Sequence, residues 1–192
     1  MIMSKIKLFI ATTIDGFIAR ENGSLDWLPG SSADADTVQD KESSNASEND
    51  GGYSEFVSAI DTVVLGRKTY EEILGFGVEW PYGNCRSYVV TSDADYEVKT
   101  ENTSTINIID QATIAEIKAK SNKDIWIVGG GQIITQFLNH NAIDEMTLNV
   151  FSIILGKGIQ LFPKEPKETK FKLIKTESFG SDFVNLTYKR NN

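Results

Sequence analysis

Cysteine and histidine are almost missing from this 192-residue chain, which has only Cys85 and His140. A single thiol excludes an internal disulfide and any Cys-x-x-Cys metal site. A single imidazole excludes a His-Cys zinc cluster or a His-rich centre, so no metal is expected. Basic residues are also in deficit: 19 Lys+Arg against 27 Asp+Glu give a net charge of -8. A general nucleic-acid binder would need a basic stripe, and none is present. No apolar run approaches the roughly 20 residues that a bilayer crossing requires. Met1-Ile2-Met3-Ser4-Lys5 leads straight into an alternating pattern without a signal-peptide layout, so a cytoplasmic setting is expected. No Ser-His or Cys-His pairing with a third orienting residue is visible, which disfavours covalent hydrolase chemistry.

What is present is an ordinary soluble balance, with 40% hydrophobic and 24% charged residues. Its length suits a single domain, residues 1–192. Much of the negative charge is concentrated in residues 31–52, where six carboxylates (Asp34, Asp36, Asp40, Glu42, Glu48 and Asp50) face Lys41 alone. That stretch has no aromatic residue and cannot bury enough surface to fold by itself. It reads as an acidic insertion, either a solvated surface loop or a flap over a site.

Elsewhere apolar strand patterns alternate with helical ones. Strands are expected at 5–11, 62–66, 87–91, 105–109, 125–128 and 145–151, and helices at 53–60, 68–74, 111–120 and 132–140. Asp110 is a good N-cap for the third helix. Two more strand-like runs, 171–179 and 183–189, flank Gly180-Ser181-Asp182, which has turn chemistry. The expected architecture is α/β: a mostly parallel central sheet covered on both faces, ending in an antiparallel C-terminal hairpin.

Two strand-to-helix junctions carry groups suited to anions. Gly129-Gly130-Gly131-Gln132 offers close backbone approach and the free N–H groups of a helix start, so a phosphate or pyrophosphate is the natural guest. The GxGxxG fingerprint fails, because Ile134 stands three positions after Gly131. At the second junction, Gly66-Arg67-Lys68-Thr69 brings two cations and a hydroxyl to a helix start. Thr91-Ser92 closes a third strand and could cap or bind. Trp27 could be a core anchor or a stacking wall. Together these residues point to a phosphorylated ligand, with a dinucleotide first among candidates, beyond the carboxyl ends of the strands.

Taken in order, Ala11-Thr12-Thr13-Ile14-Asp15-Gly16-Phe17-Ile18-Ala19, Gly66-Arg67-Lys68-Thr69-Tyr70-Glu71, Thr91-Ser92, Val128-Gly129-Gly130-Gly131 and Leu155-Gly156-Lys157-Gly158 resemble the dihydrofolate reductase superfamily. The nearest likeness is its branch of RibD C-terminal-type reductases, which includes the riboflavin-pathway reductase. The resemblance implies a dihydrofolate reductase-like α/β/α fold, a homodimer and NADPH as cofactor. By position, the backbone near Ala11 and Ile18 would hold the nicotinamide carboxamide. Gly66, Arg67, Lys68 and Thr69 would meet the phosphates from one helix start, and Gly129, Gly130, Gly131 and Gln132 the pyrophosphate from the other. Thr91 and Ser92 would lie beside the adenosine end, with Arg67 and Ser92 reading the 2′-phosphate. The resemblance also implies a cis Gly129–Gly130 bond.

On the substrate side, folate-reducing members place a carboxylate on the helix before the Gly-Arg-Lys-Thr strand. Counting back without a gap reaches Asp50, the candidate catalytic acid, whereas aligning the helix itself puts Tyr53 near that place. A carboxylate in a solvated loop needs ordering before it can act as an acid, which disfavours dihydrofolate. Trp27, Tyr53, Phe56 and Asn149 are substrate-pocket candidates by position. The expected activity is hydride transfer from NADPH to a small heteroaromatic or ribosylamine-type acceptor, the named guess being a 5-amino-6-(5-phosphoribosylamino)uracil reductase-like reaction. A non-catalytic NADPH-binding protein and a dihydrofolate reductase with an atypical acid are the alternatives.

Overall fold

The computed structural model describes residues 4–29 and 50–191. Most of the acidic stretch 31–52 therefore lies outside the described residues, and only Asp50, Gly51 and Gly52 of it are placed. In chain order the elements are β1 (Ile6–Thr13), β2 (Phe17–Ala19), α1 (Tyr53–Ser58), β3 (Ile60–Gly66), α2 (Arg67–Gly75), β4 (Arg86–Val90) and β5 (Thr103–Ile106). They continue with α3 (Gln111–Lys120), β6 (Asp124–Gly129), α4 (Gly131–Asn139), β7 (Glu145–Phe151), β8 (Ile159–Gln160), β9 (Phe171–Phe179) and β10 (Phe183–Arg190).

Eight strands form one sheet in the order β5-β4-β3-β6-β1-β7-β10-β9. The pairings from β5 to β7 are parallel, and β10 runs antiparallel to both β7 and β9. The expected mostly parallel sheet with an antiparallel finish is what the chain adopts. β2 and β8 make a separate two-stranded patch.

Strand alternation divides the core in two, because successive side chains leave opposite faces. Ile6 and Leu8 of β1, Val64 of β3, and Ile125 and Ile127 of β6 pack with Ile114 and Ile117 of α3 and Ile134 and Phe137 of α4. Phe9, Val63, Leu65, Trp126 and Val128 take the other face, under Phe56 of α1 and Tyr70 and Ile73 of α2. The core side chains are nearly free of solvent, with Phe137, Ile134, Val63 and Leu65 at 0% exposure. Each such side chain contributes about 1.5–3 kcal/mol. Helices therefore cover both faces, and the β1, β6 and β7 ends open toward one rim.

Candidate functional site

That rim carries a cavity of about 970 Å³. Phe9, Ile10 and Ala11 of β1 line it together with Trp126, Val128 and Gly129 of β6 and Asn149 and Phe151 of β7. Thr69, Glu72 and Ile73 of α2 close one side, and Ile18, Trp27, Leu28 and Pro29 another.

The anion-binding end is built by two helices starting side by side. β3 and β6 run in parallel register with Leu65 opposite Gly129, so α2 and α4 spring from adjacent strand ends. Neither helix start is capped by a side chain, leaving first-turn N–H groups for a ligand. The Gly129–Gly130 peptide bond is cis, as the resemblance implied. A Cβ on Gly130 would stand 3.5 Å from Thr69 Oγ1, so the two junctions touch here. Gly129 has φ +138 with no heavy atom within 4 Å of a would-be Cβ, leaving its surface open. Gly131 is different: a Cβ there would lie 2.3 Å from the Gln160 carbonyl oxygen and 2.8 Å from Pro163 Cδ. Its lack of a side chain serves the packing of β8 on α4.

Arg67 stands beside this end, outside the cavity wall. Its Nε donates to Glu71 Oε1 at 2.8 Å, its Nη1 to Asp93 Oδ2 at 2.9 Å, and the guanidinium lies 4.4 Å from the Tyr96 ring centroid. Glu71 above all raises its already high pKa. The buried Thr91 hydroxyl accepts from the Asp93 N–H at 3.1 Å, while Ser92, Lys68 and Gln132 are exposed. Gly66 is buried at the end of β3.

The other end is aromatic. Trp126 meets Tyr53 at 5.9 Å and Tyr82 at 5.5 Å, while Phe151 meets Trp27 at 5.7 Å and stacks on Phe183 at 4.7 Å. Phe56, a sequence-based pocket candidate, stacks behind the wall on Phe9 at 4.8 Å and does not line the cavity. The buried Asn149 amide donates to Asn185 Oδ1, and Asn185 Nδ2 donates to the Gly51 carbonyl at 2.7 Å. Through this relay β7 and β10 hold the chain just after Asp50.

Two carboxyl groups line the cavity, and the described lining includes no lysine, arginine or histidine. Asp50 accepts the Gly52 N–H at 2.9 Å and the Ser54 N–H at 2.8 Å, at the approach to α1. The Ser54 hydroxyl and N–H hold its carboxyl below the ordinary value, which favours the ionised form in this arrangement. Burial pushes the Glu72 carboxyl up, with Lys68 working against it. Burial also raises the phenols of Tyr53 and Tyr82, which stay protonated. Trp27 has a buried Nε1–H without an acceptor among the described residues.

Of the residues singled out in the sequence, Ala11, Ile18, Trp27, Asp50, Tyr53, Thr69, Gly129, Gly130 and Asn149 come together on the cavity wall. Gly66, Arg67, Lys68, Thr91, Ser92, Gly131, Gln132 and Phe56 stand outside its lining. Sequence reasoning named Trp27 and Tyr53 of the aromatic walls and missed Glu72, Phe9, Trp126, Phe151 and Phe183. Glu72 and Ile73 lie three and four positions after Thr69, the spacing that puts them on one helix face, and that signal was available.

The strand order and the helices on both faces make the fold dihydrofolate reductase-like. The structure is similar to a dihydrofolate reductase from Enterococcus faecalis, with a TM-score of 0.60, 19% identity and coverage of 98% of this chain and 97% of that one. The RibD C-terminal domain family model matches residues 4–185, and the chain belongs to that family. A structure described as a putative riboflavin biosynthesis protein from Shewanella sp. PV-4 is similar at a TM-score of 0.81 and 30% identity, covering 98% of this chain and 99% of that one. The uncharacterized protein YwjB of Bacillus subtilis is 38% identical over 186 residues, covering 97% of this chain and 98% of its own.

Proposed function

We propose that the protein is an NADPH-dependent reductase of the riboflavin-pathway type, acting on a small heteroaromatic or ribosylamine-type acceptor. The observation that carries this reading is the paired, uncapped starts of α2 and α4, joined through Thr69 and Gly130 at the mouth of an aromatic cavity. The donor set fits a dinucleotide. First-turn N–H groups of both helices suit the pyrophosphate, and the open surface at Gly129 allows close approach. Arg67 and Ser92 suit the 2′-phosphate, with Lys68 and Thr91 nearby, and Ala11 and Ile18 present the nicotinamide side of the wall.

When bound, the cofactor supplies a hydride to the acceptor carbon, and a proton follows to the neighbouring heteroatom. The chain's own part is positioning: Phe9, Trp126 and Phe151 hold a flat acceptor and exclude water. Asp50, fixed by the Gly52 and Ser54 N–H groups, orients a hydrogen-bond donor on the acceptor and relays from solvent the proton that balances the hydride.

The test is a titration with NADPH, and separately with NADH, followed by tryptophan fluorescence. Trp27 and Trp126 on the cavity wall are the expected reporters. Saturable binding that prefers NADPH supports the reading. Binding of neither cofactor removes it.

A further inference from the structure

The Glu72 carboxyl stands on the cavity wall, and the reductase reading, on which this inference rests, gives it no task. It projects from α2 one turn past Thr69, about 4.5 Å further along the helix axis. Thr69 meets Gly130 at the anion-binding end, so Glu72 stands beyond the place suited to the pyrophosphate. A carboxylate there repels a phosphate and attracts a hydrogen-bond donor.

A glycine makes room for it. A Cβ on Gly23 would lie 2.6 Å from Glu72 Oε1, 3.4 Å from its Cδ and 4.0 Å from its Oε2. The carboxyl thus rests over the bare Gly23 backbone, with Oε2 turned further away. No hydrogen bond or ion pair among the described residues holds either oxygen, and Lys68, one turn back on α2, acts on it through charge alone. The residue is open to solvent, yet partial burial of its carboxyl raises it, as suits an oxygen pair short of partners.

The ring of the acceptor belongs elsewhere on the wall. Phe9, Trp126, Phe151 and Phe183 come from the sheet, and with Tyr53 and Trp27 they offer flat faces. Asp50 stands at that end, because Asn185 of β10 holds the Gly51 carbonyl beside it. Glu72 stands on the helix side, toward the anion-binding end. A group reaching there from the ring is a side arm, and adjacent O–H donors on it would satisfy both carboxylate oxygens.

We propose that Glu72 is a specificity-determining residue, whose carboxylate accepts hydrogen bonds from the hydroxyls of a polyhydroxyl, ribosyl-type arm on the acceptor. Glu72 selects a ring with such an arm over a bare ring, while Asp50 and the aromatic walls serve the ring itself.

Riboflavin and lumiflavin are the probes, because they share a ring system and only riboflavin carries a polyhydroxyl arm. Each is titrated into the full chain, and binding is read by the quenching and anisotropy of flavin emission. Riboflavin is expected to bind about tenfold more tightly, the effect of one charge-assisted hydrogen bond at a site open to solvent. Glu72→Gln keeps the shape and loses the charge, and should shrink the ratio to about threefold. Glu72→Ala should bring it close to equality. Lumiflavin affinity should stay the same in all three proteins, which a purely structural role for Glu72 would not give. Equal binding of the two flavins, no binding of riboflavin, or a ratio unchanged in Glu72→Ala overturns the proposal. So does a loss of lumiflavin affinity that matches the loss for riboflavin. The parallel NADPH titration keeps the two readings apart. A Glu72-dependent preference for riboflavin without NADPH binding sinks the reductase and leaves Glu72 as the residue that holds the arm. NADPH binding with a ratio independent of Glu72 does the reverse.

Discussion

Asp144 shows how much a single side chain organises. Its carboxylate accepts the Ile6 N–H at 2.9 Å, Lys118 Nζ at 3.0 Å and Arg190 Nη2 at 3.1 Å, joining β1, α3 and β10. Burial alone would push this carboxyl up, but the Ile6 N–H and the two cations outweigh it and hold it below the ordinary value. A depressed carboxyl contributes stability that is present above its unfolded pKa and lost as pH falls through its folded one. Asp144→Asn should therefore cost about 2 kcal/mol at neutral pH in urea denaturation. It should also flatten the decline in stability below about pH 4. Glycines give a second residue-scale contrast. Gly131→Ala drives a methyl into the Gln160 carbonyl and should cost about 1–3 kcal/mol. Gly75→Ala, at the end of α2 with nothing within 4 Å, should be neutral or gain a few tenths of a kcal/mol in the same assay.

At the scale of elements, the sequence was most legible where periodicity and capping agree. α3 runs Gln111–Lys120 as expected, with Asp110 Oδ1 accepting the Thr113 N–H at 2.7 Å. Asp110→Ala should lower the melting temperature, reflecting a loss of about 1 kcal/mol. β7 and β9 also match their expected bounds. β5 was expected at 105–109 and forms two residues earlier, at Thr103–Ile106. Ile108 is 64% exposed, so its hydrophobicity misled the register. β2 and β8, three and two residues long, are too short to carry a period. The glycine-rich junctions were readable because an open helix start leaves a local signature. Of the aromatic walls only Trp27 and Tyr53 were, since Phe9, Trp126, Phe151 and Phe183 lie far apart in sequence and meet only through the strand order.

For the whole molecule, the outer strand β9 leaves Leu173 and Ile174 about half exposed, beside a register shift where Ile174 has no partner on β10. A homodimer of the kind the resemblance implies would cover this apolar pair, in which case Leu173→Lys should shift the protein toward monomer in sedimentation. The strand order carries a further consequence for synthesis. β1 emerges from the ribosome before every other described strand, yet its partners β6 and β7 end at Gly129 and Phe151. At roughly 5–20 residues per second, the nascent Phe9-Ile10 segment waits on the order of ten seconds or more for a neighbour. Through that interval it is an unpaired apolar strand, the kind of segment that chaperones bind and that aggregates when they do not.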